Sequence, residues 1–377
     1  MRICVAGMVL VFLYGLGMAG PVTADSNFSL IDTAKDVIPN LKSQEAIYFD
    51  GRLTFSVVEK LAYSPDGHYL AIMYSQSLGQ TNIVIWDVLA DRKQSQIHCS
   101  FDYGLTFHND VLWDHTGKVI SFGIKRQWDA VTGSALPDNP VVGRSARLNE
   151  TGSKLVTIMG AVGEPSYLYI YDTSDWSVQK IYADGLAVES VAWTRGDKIM
   201  VGVMGTRNTI NKIIDGRVLA PFDAGIRLLD PTGRDSTRAI WYPAIHDNIP
   251  GHAPWRQAVD IELLATNFHF NQVALGGGQI ISGDTMAVLT YFSSADIASN
   301  KVEPGSGGLA FSLDGKYMFV KAIAWFDNRS PVINSVIDTR SGKKVSEFGG
   351  GDRGLAISPD GRHVAIGNVH SVRILDF

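Results

Sequence analysis

Residues 61–71 read LAYSPDGHYLA, and the same phrase returns as LAFSLDGKYMF at 309–319 and as LAISPDGRHVA at 355–365. In each copy two short apolar runs flank an Asp-Gly pair, which is a strong local signal for a β-hairpin. A hairpin that recurs along a chain is typical of a repeat protein. The fold is therefore expected to be all-β and built from repeated sheets, with the motif itself acting as scaffold.

Seven units of this kind can be traced along the chain. Each has a first apolar strand, a turn, a second strand and a third strand. In six units the third strand ends at an aspartate, at Asp87, Asp129, Asp172, Asp230, Asp338 and Asp376. The degraded fifth unit lacks this signal, and its third strand is expected at 286–291.

A fourth, outer strand follows the closing aspartate in most units, as in residues 343–348 after Asp338. Four-stranded units at a spacing of roughly 40–50 residues are the sequence mark of a β-propeller. The pattern predicts a single seven-bladed β-propeller over residues 44–377. The last unit stops at its third strand, and residues 46–50 are expected to supply its fourth strand and close the ring.

Two dipeptides, Trp86-Asp87 and Trp128-Asp129, make this pattern resemble the WD-repeat propellers. The Ser-Pro-Asp-Gly turns are similar to those of exported TolB-like propellers. The blades lack the Gly-His pair that starts a WD repeat, so the buried His-to-Asp hydrogen-bond chain of that family is not expected here. Both resemblances imply a scaffold for protein contacts, and neither implies a reaction.

The charge balance of the chain argues against nucleic acid as a partner. Of 377 residues, 33 are basic and 38 acidic, which gives a net charge of −5. No run of Lys or Arg supplies the positive surface that DNA or RNA binding needs. Hydrophobic residues make up 45% of the chain, enough for the large core of a protein of this length.

The first residues predict export. Residues 1–24 hold an apolar run after a single charge, Gly20 and Pro21 then break it, and small residues precede Asp25. This is typical of a secretory signal peptide cleaved before Asp25, with an uncleaved membrane anchor as the alternative. Residues 25–43 form an N-terminal extension. No later segment resembles a membrane span, so the mature protein is expected in the periplasm or outside the cell.

Cysteine is scarce. Cys4 leaves with the signal peptide, which makes Cys99 the remaining thiol of the mature chain. A single thiol forms no intrachain disulfide, so stability is expected to come from core packing. Cys99 is interpreted as a buried structural thiol.

Two long connections mark the candidate site. Residues 205–224 separate the second and third strands of the fourth unit, and residues 242–258 lead into the fifth. Long loops in a compact repeat fold are often functional. The candidate partner-binding residues on them are Arg207, Arg217, His246, Asp247, His252, Trp255 and Arg256. Trp325, in the corresponding loop of the sixth unit, is expected either to extend the same surface or to serve as a packing residue.

Three interpretations of these loops stay open. They could pack over the degraded fifth unit, bind a protein partner, or carry a catalytic or metal site. Trp and Arg suit a protein interface because both are enriched at interface hot spots. His246, Asp247 and His252 match no regular ligand spacing, so no metal and no cofactor is predicted. An exported protein-interaction scaffold is the main hypothesis. The alternative is an enzyme or small-molecule binder that uses the central funnel, with both loops as a lid.

Overall fold

A computed structural model gives the fold. It describes residues 42–43, 47, 56–76, 80–99, 110–114, 116–122, 126–138, 140–160, 164–182, 185–206, 212–214, 217–219, 223–230, 239–242, 263–275, 279–292, 304–312, 314–322, 333–349, 354–360, 362–367 and 371–376. In this part of the chain the secondary structure is entirely β. No helix long and apolar enough to cross a membrane occurs among these residues.

The strands form a series of antiparallel sheets, numbered here in chain order. The first sheet contains β2 (Ser56–Tyr63), β3 (Tyr69–Gln76), β4 (Gln80–Asp87) and β5 (Arg92–Cys99). The second contains β6 (Asp110–Trp113), β7 (Lys118–Phe122) and β8 (Arg126–Asp129). The third contains β9 (Arg144–Leu148), β10 (Lys154–Met159), β11 (Tyr167–Asp172) and β12 (Val178–Tyr182).

The later sheets follow the same plan. The fourth contains β13 (Ala187–Trp193), β14 (Ile199–Met204), β17 (Ala224–Leu229) and β18 (Ala239–Tyr242), with the hairpin β15 (Lys212–Ile214) and β16 (Arg217–Leu219) inserted. The fifth contains β19 (Leu263–Asn267), β20 (Gln272–Leu275), β21 (Gln279–Ser282) and β22 (Val288–Tyr291). The sixth contains β23 (Pro304–Phe311), β24 (Tyr317–Ala322), β25 (Ile333–Asp338) and β26 (Lys344–Gly349). The seventh contains β27 (Leu355–Ile357), β28 (His363–Gly367), β29 (Val372–Asp376) and β1 (Lys42–Ser43).

The recurring phrase forms the turn between the first two strands of a sheet, as predicted. In the first sheet the Ser64 hydroxyl donates to Asp66 at 2.5 Å and accepts from the backbone N–H of Tyr69 at 2.9 Å. The sixth and seventh sheets repeat both bonds at Ser312 and Ser358. Gly67 has a φ of 75°, a left-handed conformation that glycine adopts without strain.

A second recurring turn joins the third and fourth strands. The aspartate that closes the third strand accepts backbone N–H bonds from the residues after it, for example from Thr132 to Asp129 at 2.8 Å. The fourth residue after this position has positive φ in five sheets, at Asp91, Gly133, Trp176, Met286 and Gly342. In the first, third and sixth sheets the closing aspartate and the turn geometry agree on where the outer strand begins.

Neighbouring sheets pack face to face and share buried apolar side chains. Trp193, at the end of β13, is 1% exposed, and its indole N–H donates to the backbone oxygen of Arg147 in the third sheet at 2.9 Å. Trp113 makes the same bond to Ala62 O, from the second sheet to the first. Each first strand lies beside the first strand of the next sheet, and β2 lies beside β27 and β28 of the seventh sheet.

The N-terminal segment completes the seventh sheet. Lys42 is paired with Asp376 and Ser43 with Leu375, and Ile47 exchanges backbone hydrogen bonds with Val372 at 2.8 and 3.0 Å. Ile47 is 5% exposed, in a cluster formed by the first and seventh sheets. The expected fourth strand is thus found, but its pairing begins at Lys42, before the predicted 46–50.

Two details differ from the expected plan. The second sheet has three strands among the described residues, because the segment after its third strand pairs only at Ala135 and then contains Pro137 and Pro140, which cannot donate to a ladder. The third strand of the fifth sheet is Gln279–Ser282, so its placement at 286–291 was wrong. Residues 288–291 form the fourth strand instead.

Candidate functional site

In the fourth sheet, both long connections leave from the same end of the strands. Its strand register aligns one residue from each strand in a row, Ala187, Met204, Ala224 and Tyr242. The connection 205–223 leaves after Met204 and returns at Ala224, and the connection into the fifth sheet leaves after Tyr242. Because neighbouring strands lie about 4.8 Å apart, Met204 and Tyr242 are separated by about 10 Å. We call this end of the strands the loop end of the fourth sheet, and the opposite end the turn end.

The first connection contains a short hairpin that is anchored in the core. Strands β15 and β16 pair over three residues each around Asp215-Gly216, a favoured two-residue hairpin sequence. Leu219, the last residue of β16, is 1% exposed and belongs to the apolar cluster between the third and fourth sheets. The hairpin is therefore attached to the body of the protein by a buried side chain.

Polar residues are buried where this connection joins the sheet. The backbone N–H of Gly205 donates to Asp223 O at 2.8 Å and continues the ladder beyond Met204. Thr206 is 4% and Asp223 is 6% exposed. The backbone bond between Gly205 and Asp223 therefore holds the two ends of the connection together, and buried polar residues on either side of it are costly to move because they must keep their hydrogen bonds.

The sequence-predicted site residues fall mainly outside the described part of the chain. The backbone of Arg217 is described as the first residue of β16. The other predicted site residues lie outside the described residues: Arg207, His246, Asp247, His252, Trp255, Arg256 and Trp325. The same holds for the side chain of Cys99. Within the described residues, no group of three or more His, Cys, Asp or Glu side chains is arranged to hold a metal ion.

Two carboxylates that the sequence did not place in the candidate site lie at matching positions in the first strands of the first and fourth sheets. A β-bulge occurs between Val58 and Lys60 in β2 and between Val188 and Ser190 in β13. The extra residues are Glu59 and Glu189, both half-buried, and the Glu59 carboxylate accepts from Ser75 Oγ at 2.8 Å. The sequence does contain a signal for these residues: in both strands a Val-Glu pair occurs, with the Glu three residues before an alanine, Ala62 or Ala192. Bulges of this kind re-aim side chains and are frequent beside functional sites.

Charged groups at the turn end mainly serve the structure. Asp197 accepts from Lys154 Nζ at 2.7 Å and from Asn149 Nδ2 at 2.9 Å, which links the third and fourth sheets. Burial alone would raise the pKa of Asp197, but these two bonds and the positive charge of Lys154 lower it below its ordinary value. The pKa of Asp129 is likewise lowered, chiefly by the hydrogen bonds from Thr132.

Comparison with known proteins supports the fold and is silent on activity. No family model and no curated protein matches the chain. A solved structure described as Kuenenia stuttgartiensis hydrazine synthase is similar, with a TM-score of 0.59 over 88% of this chain and 99% of that one, at 11% sequence identity. At this identity the likeness concerns the fold alone. Together with the repeated antiparallel sheets, it is consistent with a β-propeller.

Proposed function

We propose that the chain forms a closed seven-bladed β-propeller of the WD-repeat-like or TolB-like type. The order in which the sheets pack supports a ring, because β2 lies beside both β6 and the strands β27 and β28. Pairing of Ile47 with Val372 supports closure by the N-terminal segment. In such a ring each sheet corresponds to one blade, and the second–third strand connections share one face.

On this ring the protein acts as a non-catalytic scaffold that binds a protein partner. The observation that carries this proposal is the row from Ala187 to Tyr242, which sends two long connections out of the loop end of the fourth sheet. Anchoring by Leu219 supports a rigid protrusion, and a rigid surface loses less conformational entropy on binding.

The proposed contact residues are those of the two connections and the neighbouring loop of the sixth sheet: Arg207, Arg217, His246, Asp247, His252, Trp255, Arg256 and Trp325. They combine Arg and Trp, the types that dominate binding energy at protein interfaces. The protein would meet its partner in the periplasm or outside the cell, after removal of residues 1–24.

Site-specific photo-crosslinking tests both parts of this proposal. A crosslinking residue replaces Arg217 on the hairpin or, as a control, Leu89, which is 73% exposed on a third–fourth strand turn of the first sheet. In the native host we expect a discrete adduct from position 217 and none from position 89. Sequencing the N-terminus of the same preparation should give Asp25. A protein that crosslinks equally from both positions, or from neither, would contradict the scaffold proposal.

A different outcome would favour the enzyme or small-molecule alternative. If the purified protein turns over a small molecule while position 217 gives no adduct, the connections would act as a lid over the funnel. Stoichiometric metal in elemental analysis would point to His246, Asp247 and His252 as ligands.

A further inference from the structure

The outer strand of the fifth sheet exposes apolar side chains at an open edge. Val288, Leu289 and Tyr291 of β22 are 37%, 49% and 67% exposed. β22 is the last strand of its sheet. Contiguous exposed apolar groups of this kind mark interaction sites on soluble proteins.

The repeat supplies an internal control for this strand. The outer strands β5, β22 and β26 carry a β-bulge at the same register, beside the pairs Trp86–Lys93, Ile281–Val288 and Ile337–Lys344. The bulge therefore belongs to the repeat. Val288 takes the position held by Lys93 and Lys344, and by Val178 in the third sheet, so what distinguishes β22 is the run of three exposed apolar side chains, Val288, Leu289 and Tyr291.

Comparison of the next positions gives the same result. Leu289 corresponds to Gln94 in the first sheet and to the half-buried Val345 in the sixth, and Tyr291 corresponds to Gln96 and Glu347. Only β22 of these three strands is apolar at both positions. The intervening hydroxyl is kept: Ser95 donates to Ala130 O, and Thr290 donates to Arg340 O, each to the turn of the following sheet. The contacts that hold the strand in place are thus shared, and the exposed side chains are what differs.

We propose that this apolar edge, Val288–Tyr291, is the contact surface between two copies of this chain in a weak, reversible dimer. Lysines on an outer strand protect it from edge-to-edge association. In a two-fold dimer each lysine would lie near the same lysine of the other copy, and the two positive charges would repel each other. β22 carries no charge, so two copies can meet without repulsion. The bulge at Leu289 interrupts the ladder, so the copies meet through side chains and do not extend one sheet through both molecules.

The area of the edge sets the strength of the association. The three side chains expose roughly 300 Å² per copy, given 150–250 Å² for a whole aromatic side chain. A stable interface needs about 800 Å² from each partner. The dimer is therefore expected to form only at high protein concentration. This surface lies on a different sheet from the hairpin. The dimer proposal therefore goes beyond the proposed scaffold role, and either proposal can be wrong while the other is right.

Sedimentation equilibrium of the purified protein from about 5 to 500 µM covers the range of a weak dimer. We expect the average mass to rise with concentration towards twice the monomer mass. Leu289→Lys should weaken the association at least about tenfold, since it places a positive charge in the middle of the apolar edge, where it would face its own copy. Tyr291→Ser, a second variant, should weaken it without adding charge.

Val178→Lys is the control, since it adds the same charge to an apolar side chain that is 56% exposed on the outer strand of the third sheet. It should leave the association unchanged. A wild-type protein that stays monomeric over the whole range would overturn the proposal. So would an equal loss of association in the Leu289→Lys and Val178→Lys variants. Crosslinking from position 217 tests the scaffold role separately.

Discussion

One side-chain oxygen organises the turn that follows the third strand in five sheets, at residues 87, 129, 172, 282 and 338. Asp129 accepts from both the backbone N–H and the hydroxyl of Thr132, at 2.8 Å each, and Asp338 is bonded in the same way by Ser341. Because these bonds favour the ionised carboxylate, they lower the pKa of Asp129 below its reference value of 3.8. A carboxyl group with a lowered folded-state pKa stabilises the fold above its unfolded-state pKa, and this contribution is lost as pH falls through the folded-state value.

Asp129→Asn should therefore lower the free energy of unfolding at neutral pH, by less than about 1 kcal/mol because the turn is solvent-exposed. The difference from wild type should shrink as the pH falls below 3.8, the reference pKa. Urea unfolding between neutral pH and about pH 3 measures both. Thr132→Val removes the hydroxyl donor to Asp129, so it should also make the free energy of unfolding less sensitive to acid pH. Wild-type and Asp129→Asn curves that stay parallel down to low pH would contradict this account.

At the scale of single strands, the inserted hairpin depends on one buried residue. Leu219 packs with Val188, Val203 and other side chains between the third and fourth sheets. The hairpin strands have three residues each, too few to be stable alone in water. Its position on the loop end therefore follows from this anchor and from the ladder bond between Gly205 and Asp223.

Leu219→Ala should lower the free energy of unfolding by about 2–4 kcal/mol, the usual cost of truncating a buried leucine. It should also release the hairpin, so that trypsin cleaves the native protein faster after Lys212 or Arg217. Leu89→Ala, at an exposed position, should change neither quantity. Cleavage at the wild-type rate in the Leu219→Ala variant would show that the hairpin is held by other contacts.

The fifth sheet illustrates how far sequence reasoning reaches. The third strand was sought by its closing aspartate, but Ser282 stands there, and its hydroxyl accepts from the backbone N–H of Thr285 at 3.3 Å. Met286 takes the left-handed position that Gly133 holds in the second sheet, with a φ of 55°. The fifth sheet therefore keeps the geometry of the turn, although Ser282 replaces the usual aspartate and Met286 replaces the glycine found in the second and sixth sheets. The candidate site was less predictable, because the anchoring of Leu219 depends on packing between sheets that no local pattern encodes.

For the whole molecule, the decisive contact is the one between the first and seventh sheets. Ile47, Leu61 and Ile374 belong to one buried cluster. Gly367 has no space for a β-carbon beside Val58, so the backbone of the seventh sheet lies directly on the first. The repeat in the sequence predicted that such a seam should exist, and the register of β1 with β29 identifies the residues that form it.

Ile47→Ala should lower the free energy of unfolding by about 2–4 kcal/mol, since it leaves a cavity at this seam. Denaturant unfolding measures the change. Val131→Ala, 51% exposed on a turn of the second sheet, serves as the control and should stay within about 0.5 kcal/mol of wild type. An equally small effect at Ile47 would mean that the N-terminal segment adds nothing to the packing between the first and seventh sheets.

The pairing of Lys42 with Asp376 also bears on how the protein is made. β1 is synthesised before β29, so this seam forms only after β29 has left the ribosome. Until then the apolar faces around Val58 and Ile374 have no cover from each other, and exposed surface of this kind promotes aggregation. The nascent chain is therefore expected to be prone to aggregation until β29 is released.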